Sequence, residues 1–259
     1  MSVNGDFYRF DSGSLVRIAH ALPEGLDVAD SFLVEDGQTV ALERHLARFQ
    51  ASVSLLEDID LDSFFEAVIK HIPLQGAWFP RLEYRAAQPP GERLYLRLRE
   101  APERFETVTL WTHPDGDSRV SPQVKGPDLA LGQQLRRTAN LHGADEAVLL
   151  SPDGFISEGA LSSIVWVRDE TLFLPDDSTP WLPSVTRSLV VDLARQAGLA
   201  VLEVRARPSD LAGAEVWSLS ALQGIRGATH WTGIDIAQPR LYLPFRKRLQ
   251  MLMRPILAH

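Results

Sequence analysis

Only three lysines, Lys70, Lys125 and Lys247, stand among 23 arginines in this 259-residue chain, and the middle one has a setting suited to chemistry. A primary amine loses its proton when desolvated and then forms a Schiff base with a carbonyl, which a guanidinium cannot do. The run Val124-Lys125-Gly126-Pro127-Asp128-Leu129 sets that amine just before a predicted helix start. There the positive end of the macrodipole disfavours the ammonium form, and partial burial acts in the same direction. Glu158 follows 33 residues later, closing Asp153-Gly-Phe-Ile-Ser-Glu158-Gly159 after a turn. Upstream, Arg44 and Arg48 lie four apart in Glu43-Arg-His-Leu-Ala-Arg48-Phe49, so a helix would put both on one side. A guanidinium fork suits a dianionic phosphate. Downstream, Ser184-Val185-Thr186-Arg187 opens another predicted helix. Its unpaired N–H groups and partial positive charge suit an anion, with the Val185 and Thr186 amides and the Thr186 hydroxyl as one wall. Each feature alone also reads blandly, as a solvated lysine, a surface glutamate, a basic helix face or a capping serine. Their order and spacing argue for a site.

That ladder of His45-Leu-Ala-Arg48, Lys125, Phe155-Ile-Ser-Glu158-Gly159 and Ser184-Val-Thr186-Arg187 resembles the class IV (fold type IV) pyridoxal-phosphate enzymes. These include branched-chain and D-amino-acid aminotransferases and aminodeoxychorismate lyase. The resemblance implies a mixed α/β (α+β) two-domain fold like that of D-amino-acid aminotransferase, with pyridoxal 5'-phosphate as cofactor. It also implies a role for each residue. Lys125 is the catalytic residue, carrying the internal aldimine and moving the substrate's α-proton. Glu158 holds the pyridine nitrogen protonated so that the ring withdraws electrons. Arg48, Val185 and Thr186 bind the phosphate. The segment Trp217-Ser-Leu-Ser220-Ala221-Leu222 resembles the N-A-L stretch of the lyases more than the S-G-T-A stretch of branched-chain enzymes, making Ser220 and Ala221 further cofactor contacts. The family's assembly implies a homodimer, and Trp78-Phe79, Trp181 and Leu241-Tyr242-Leu243 add large apolar groups near turns.

Three departures bear on the substrate. Branched-chain enzymes carry a tyrosine five residues after the lysine, where this chain has Ala130; their Glu-Asn pair is here Ser162-Ser163. Asp27-Val-Ala-Asp30-Ser31-Phe32-Leu33 replaces their N-terminal phrase with Y-G and F-E. Two chemistries through a shared quinonoid fit the retained residues: aminotransfer on an amino acid, and elimination of pyruvate from aminodeoxychorismate to give 4-aminobenzoate. A non-catalytic ligand-binding homologue is a third reading, against which the presence of Lys125 counts.

The elements that must position these residues follow from periodicity and punctuation. Val28 to Glu35 reads as a strand ending at the turn Asp36-Gly37. Ala41 to Leu56 and Leu61 to Ile72 carry helical apolar stripes. Trp78-Phe79, Leu82 to Tyr84, Leu94 to Leu98 and Val108 to Trp111 read as strands. His113 to Arg119, with Pro and Gly among polar residues, reads as a linker between an N-terminal α/β domain (1–112) and a C-terminal α/β pseudo-barrel (120–259). Pro127 to His142 and Ser184 to Ala197 read as helices ended by Gly143 and Gly198. Ala147 to Leu150 and Phe155 to Ser157 flank a hairpin turn; Ser162 to Val167 pairs with Leu172 to Leu174. Val201 to Val204, Glu215 to Leu219 and Ile225 to Trp231 add strands, and Leu241 to Leu257 reads as a terminal helix.

Composition limits the partners. A net charge of −8 repels nucleic acid and anionic membranes, so neither is expected. No apolar run approaches the roughly 20 residues of a membrane span. The start Met1-Ser-Val-Asn-Gly-Asp6 lacks the basic and apolar regions of a secretory leader, and there is no cysteine. A cytoplasmic enzyme acting on a small amino acid or amino-chorismate is expected. The histidines show no zinc-binding spacing, so no metal is expected.

Overall fold

A computed structural model describes residues 5–19 and 25–258; Met1 to Asn4, which open the leader reading, lie outside the described residues. The chain divides into two compact units, Met1–Glu103 with Val124–Pro127 and Leu252–His259, and Arg104–Gln123 with Asp128–Met251.

The first unit runs β1 (Asp6–Asp11), β2 (Ser14–Ile18), β3 (Val28–Ser31), β4 (Val34–Glu35), β5 (Gln38–Val40), α1 (Leu42–Ser54), α2 (Asp62–His71), β6 (Ala77–Trp78), β7 (Arg81–Tyr84) and β8 (Leu94–Leu98). An antiparallel sheet in the order β2-β1-β8-β7-β3 follows the period of two. Leu82 and Tyr84 of β7, with Leu94, Leu96 and Leu98 of β8, enter one core with Val28, Phe49, Val53, Phe64 and Val68. On the alternate positions Arg81 opposes Arg97, and Glu83 opposes Tyr95. Phe49 and Phe64 are wholly buried on the apolar stripes of α1 and α2. Burial of such a side chain stabilises by about 1.5–3 kcal/mol.

The strand expected over Val28 to Glu35 is two strands, β3 and β4, and the second forms a hairpin with β5. Asp36 (φ 46°) and Gly37 (φ 71°) at its turn both take the left-handed conformations that a two-residue hairpin favours. The β1–β2 hairpin, turned at Ser12-Gly13, was not expected from the sequence pattern.

The second unit comprises β9 (Thr107–Thr112), α3 (Leu129–Leu141), β10 (Glu146–Leu150), β11 (Ile156–Gly159), β12 (Ser163–Arg168), β13 (Thr171–Pro175), α4 (Val185–Gln196), β14 (Ala200–Val204), β15 (Glu215–Ser220), β16 (Gly224–Trp231) and α5 (Tyr242–Gln250). Its eight-stranded mixed sheet has the order β11-β10-β9-β16-β15-β12-β13-β14. The Ile156 N–H donates to the Ala206 carbonyl (2.8 Å), joining the first strand of that order to the residues just past the last. One face encloses Val108, Leu110, Ile164, Val216 and Trp231, while α3 covers Ala147 and Leu149 with Leu135 and Ala139.

Two expectations are corrected. The terminal helix ends at Gln250, and β17 (Met253–Pro255) returns to the first unit and pairs with β5. Pro255 suits the strand, because proline pushes the residue before it, Arg254, out of the helical region into extended backbone. The linker 113–119 lies wholly within the second unit, where His113 N–H donates to the Val148 carbonyl (2.9 Å) and Asp117 N–H to that of Leu150 (2.9 Å). The chain instead passes between units at 103/104, at 123/124, at 127/128 and at 251/252. Among the described residues no helix is long and apolar enough to cross a membrane.

Candidate active site

In the first unit, β3 anchors two of the expected residues. The Ala29 N–H donates to the Lys125 carbonyl (2.6 Å), and Val124 packs on the core. Gly126 makes this approach possible: at φ 149° it takes a conformation that side chains avoid, and a Cβ there would lie 2.9 Å from the Asp27 carbonyl oxygen. Lys125 is thus held by its backbone on both sides and is half-buried. The residue after Ala29 on β3, Asp30, is 1% exposed and clasps α1. Arg48 Nε donates to its Oδ2 (2.7 Å) and Arg48 Nη2 to its Oδ1 (3.0 Å), while His45 Nδ1 lies 2.8 Å from Oδ1. Burial opposes the Asp30 charge, but Arg48 and His45 outweigh it and hold the carboxyl down at about 2. His45 and Arg48 of the helical motif therefore act together on one carboxylate, whereas Arg44 is exposed.

In the second unit, Glu158 sits on β11 opposite Leu149 of β10 and is 4% exposed. Its Oε1 accepts from Arg119 Nη1 and from the Leu182 N–H (3.0 Å). Among the described residues its Oε2 accepts no hydrogen bond. Burial drives the carboxyl up to about 7, against the pull of Arg119 and the Leu182 amide, with Asp117 adding to the rise. Asp117 takes Arg119 Nε (2.9 Å to Oδ1) and Nη2 (2.6 Å to Oδ2), and Arg119 Nη2 also donates to the Pro180 carbonyl (3.1 Å). Burial opposes the Arg119 charge, but the two carboxylates more than offset it and keep the guanidinium firmly protonated. Close packing brings the next strand up to Glu158: a Cβ at Gly159 would collide with the Ser162 hydroxyl oxygen.

The α4 N-terminus forms as its sequence implies. Ser184 caps it, its hydroxyl accepting from the Arg187 N–H (3.2 Å). Val185 and Thr186 are 6% and 5% exposed, and among the described residues their amides have no acceptor. Arg187 is drawn away to the Trp181 ring (3.6 Å) and the Pro175 carbonyl (3.0 Å). Ser220 ends β15 with its hydroxyl accepting from the Gln223 N–H (3.2 Å), and Ala221 begins the turn that follows.

An enzyme-bound pyridine nucleus with a phosphate needs an N–H acceptor and an anion cup. The open Oε2 of a buried carboxylate and two unsatisfied helix amides fit those demands. Sequence reasoning missed Asp30, Asp117 and Arg119. Asp30 was read only as a departure in the N-terminal phrase, and the other two fell in the presumed linker. The helix is also shorter than expected, starting at Leu129, and Ala130 is exposed. Of the apolar groups singled out for assembly, Trp78 (9% exposed) and Tyr242 (5%) are buried within the chain, Phe79 and Trp181 are half-buried, and Leu241 and Leu243 are exposed.

The sequence matches the family model for amino-transferase class IV over residues 27–231. It is 33% identical to a branched-chain-amino-acid aminotransferase of Escherichia coli, covering 95% of this chain and 89% of that protein. In fold it is similar to a hypothetical aminotransferase from Mycobacterium tuberculosis in a PLP-bound form, with TM-score 0.82, 21% identity and coverage of 95% and 98%. A fold IV transaminase from Curtobacterium pusillum superposes with TM-score 0.79 at 19% identity, covering 99% of this chain and 98% of that one. The expected mixed α/β fold of type IV is the one this chain adopts.

Proposed function

The chain belongs to the class IV aminotransferase family, and from that premise we propose that it is a pyridoxal 5'-phosphate-dependent aminotransferase exchanging the amino group of an amino acid with a 2-oxo acid. The observation that carries this reading is the Glu158 carboxylate, buried with Oε1 doubly held and Oε2 open. When bound, the cofactor supplies an electron sink for the pair left at the substrate α-carbon.

The protein's own groups do the rest. Lys125 holds the cofactor covalently through its amine and afterwards moves the proton at the α-carbon. Glu158 keeps a proton on the ring nitrogen through Oε2. The Val185 and Thr186 amides and the Thr186 hydroxyl bind phosphate oxygens, where the helix end favours negative charge. Arg48 contributes charge to the same group, with Ser220 and Ala221 as a further wall. The curated relatives include branched-chain enzymes, which supports an aliphatic amino acid as donor. Ser220-Ala221-Leu222 supports a second reading, pyruvate elimination from aminodeoxychorismate.

Assay of the yellow, cofactor-loaded protein separates the two. Incubation with a panel of amino acids and 2-oxoglutarate should yield new 2-oxo acids, while aminodeoxychorismate should yield no 4-aminobenzoate. Formation of 4-aminobenzoate without aminotransfer would replace the first reading by the second. A protein that takes up no cofactor would overturn both.

A further inference from the structure

We propose that Arg119, oriented by Asp117, is the positioning residue that keeps the Glu158 carboxylate ionised and presents its Oε2 to a ligand's charged N–H. The proposal rests on the cofactor reading above and assigns a role to a segment outside every motif that led to it. Asp117 takes the Nε and one Nη2 hydrogen of Arg119, which fixes the guanidinium plane and delivers Nη1 to Glu158 Oε1. The Leu182 N–H occupies the same oxygen (3.0 Å). With both protein donors on one edge, the other edge of the carboxylate is the acceptor that remains.

Charge points the same way. Asp117 and Glu158 bring two negative charges to one Arg119, and both carboxylates and the guanidinium are nearly excluded from water. The other cation that senses Glu158, Arg187, stacks on Trp181 and donates to the Pro175 carbonyl, so it acts on Glu158 through space and, among the described residues, gives it no hydrogen bond. With Glu158 ionised, the trio of Asp117, Arg119 and Glu158 carries one net negative charge, which favours a protonated heteroaromatic nitrogen at Oε2 over a neutral one. Glu158 already titrates near neutrality with Arg119 in place, because burial raises it to about 7. Removal of the guanidinium would leave a neutral acid that cannot hold a proton on the ring.

The test is the titration of Glu158 itself, followed by carbon NMR of the full chain with carboxyl-labelled glutamate, the resonance being assigned by its loss in Glu158→Gln. In the ligand-free protein the Arg119→Met variant should titrate higher than wild type by about one to three pH units. Arg119→Lys, which keeps the charge but not the fork, should move it upward by less. If Arg119→Met does not fold, Arg119→Lys alone decides by the same criterion. Pyridoxal 5'-phosphate titrations should show Arg119→Met binding at least about tenfold more weakly at pH 7, the gap closing as pH rises through the variant's new midpoint. An unmoved Glu158 midpoint in both variants overturns the proposal. If wild type fails to bind cofactor while the midpoint still moves, the cofactor reading falls and the Arg119–Glu158 coupling stands.

Discussion

Replacement of Asp30 by asparagine should expose how much of the first unit's stability rests on one buried ionic clasp. The carboxyl is held at about 2 against an ordinary 3.8. That difference corresponds to roughly 2.5 kcal/mol, at about 1.4 kcal/mol per pH unit. The folded value is the lower one, so the contribution is complete above the unfolded value of 3.8 and is lost as pH falls through the folded value near 2. By pH 3 about half of it should be gone. The substitution should cost at least this much, because His45 and Arg48 would keep their burial without a counter-charge. Loss of one partner from a buried pair typically costs about 3–5 kcal/mol. Urea unfolding followed by circular dichroism, at pH 7 and again at pH 3, gives both numbers. The stability gap between wild type and Asp30→Asn should be about 3 kcal/mol at pH 7 and clearly smaller at pH 3. A variant as stable as wild type, or a gap that ignores pH, would refute the reasoning.

Other outcomes follow from the same geometry. Glu158→Gln should still bind pyridoxal 5'-phosphate but slow single-turnover proton abstraction by orders of magnitude; unchanged turnover removes Glu158 from the mechanism. Arg48→Ala should weaken the cofactor about ten- to a hundredfold, the equivalent of roughly 1.5–3 kcal/mol for a charge-assisted contact. The loss should be much smaller for pyridoxal, which lacks the phosphate, and equal losses for the two ligands would argue against a phosphate contact. In sedimentation equilibrium at micromolar concentration the protein should weigh twice the 28.8 kDa of one chain, and a fully active species of single-chain mass would rule out the dimer.

The fold was most legible where one residue decides the local conformation. Asp36-Gly37 marked a turn, Ser184 a helix start and Gly198 a helix end, and each is found there. Leu82 to Tyr84 and Leu94 to Leu98 read as strands and are strands, with Leu82, Tyr84, Leu94 and Leu96 in the core. Legibility failed where long-range pairing overrides local pattern. Met253-Arg254-Pro255 looked like the tail of a helix until β5 recruited it as a strand. His113 to Arg119 had the composition of a linker because Asp117 and Arg119 satisfy one another and Glu158, a partnership set by tertiary structure. The site shows the same division. Lys125 stood out by type and Glu158 and Thr186 with the help of the family resemblance, whereas Asp30 and Arg119 matter through what they touch.

The central claim is that Lys125 is the amine that holds the cofactor, and its most direct test is chemical. Borohydride reduction of the protein loaded with pyridoxal 5'-phosphate should bleach the visible band and leave a phosphopyridoxyl mass on the peptide that carries Lys125. Lys125→Arg keeps the charge but has no primary amine, so it should fold and take no label. A phosphopyridoxyl mass found instead on Lys70 or Lys247, with Lys125 unmodified, would contradict the account.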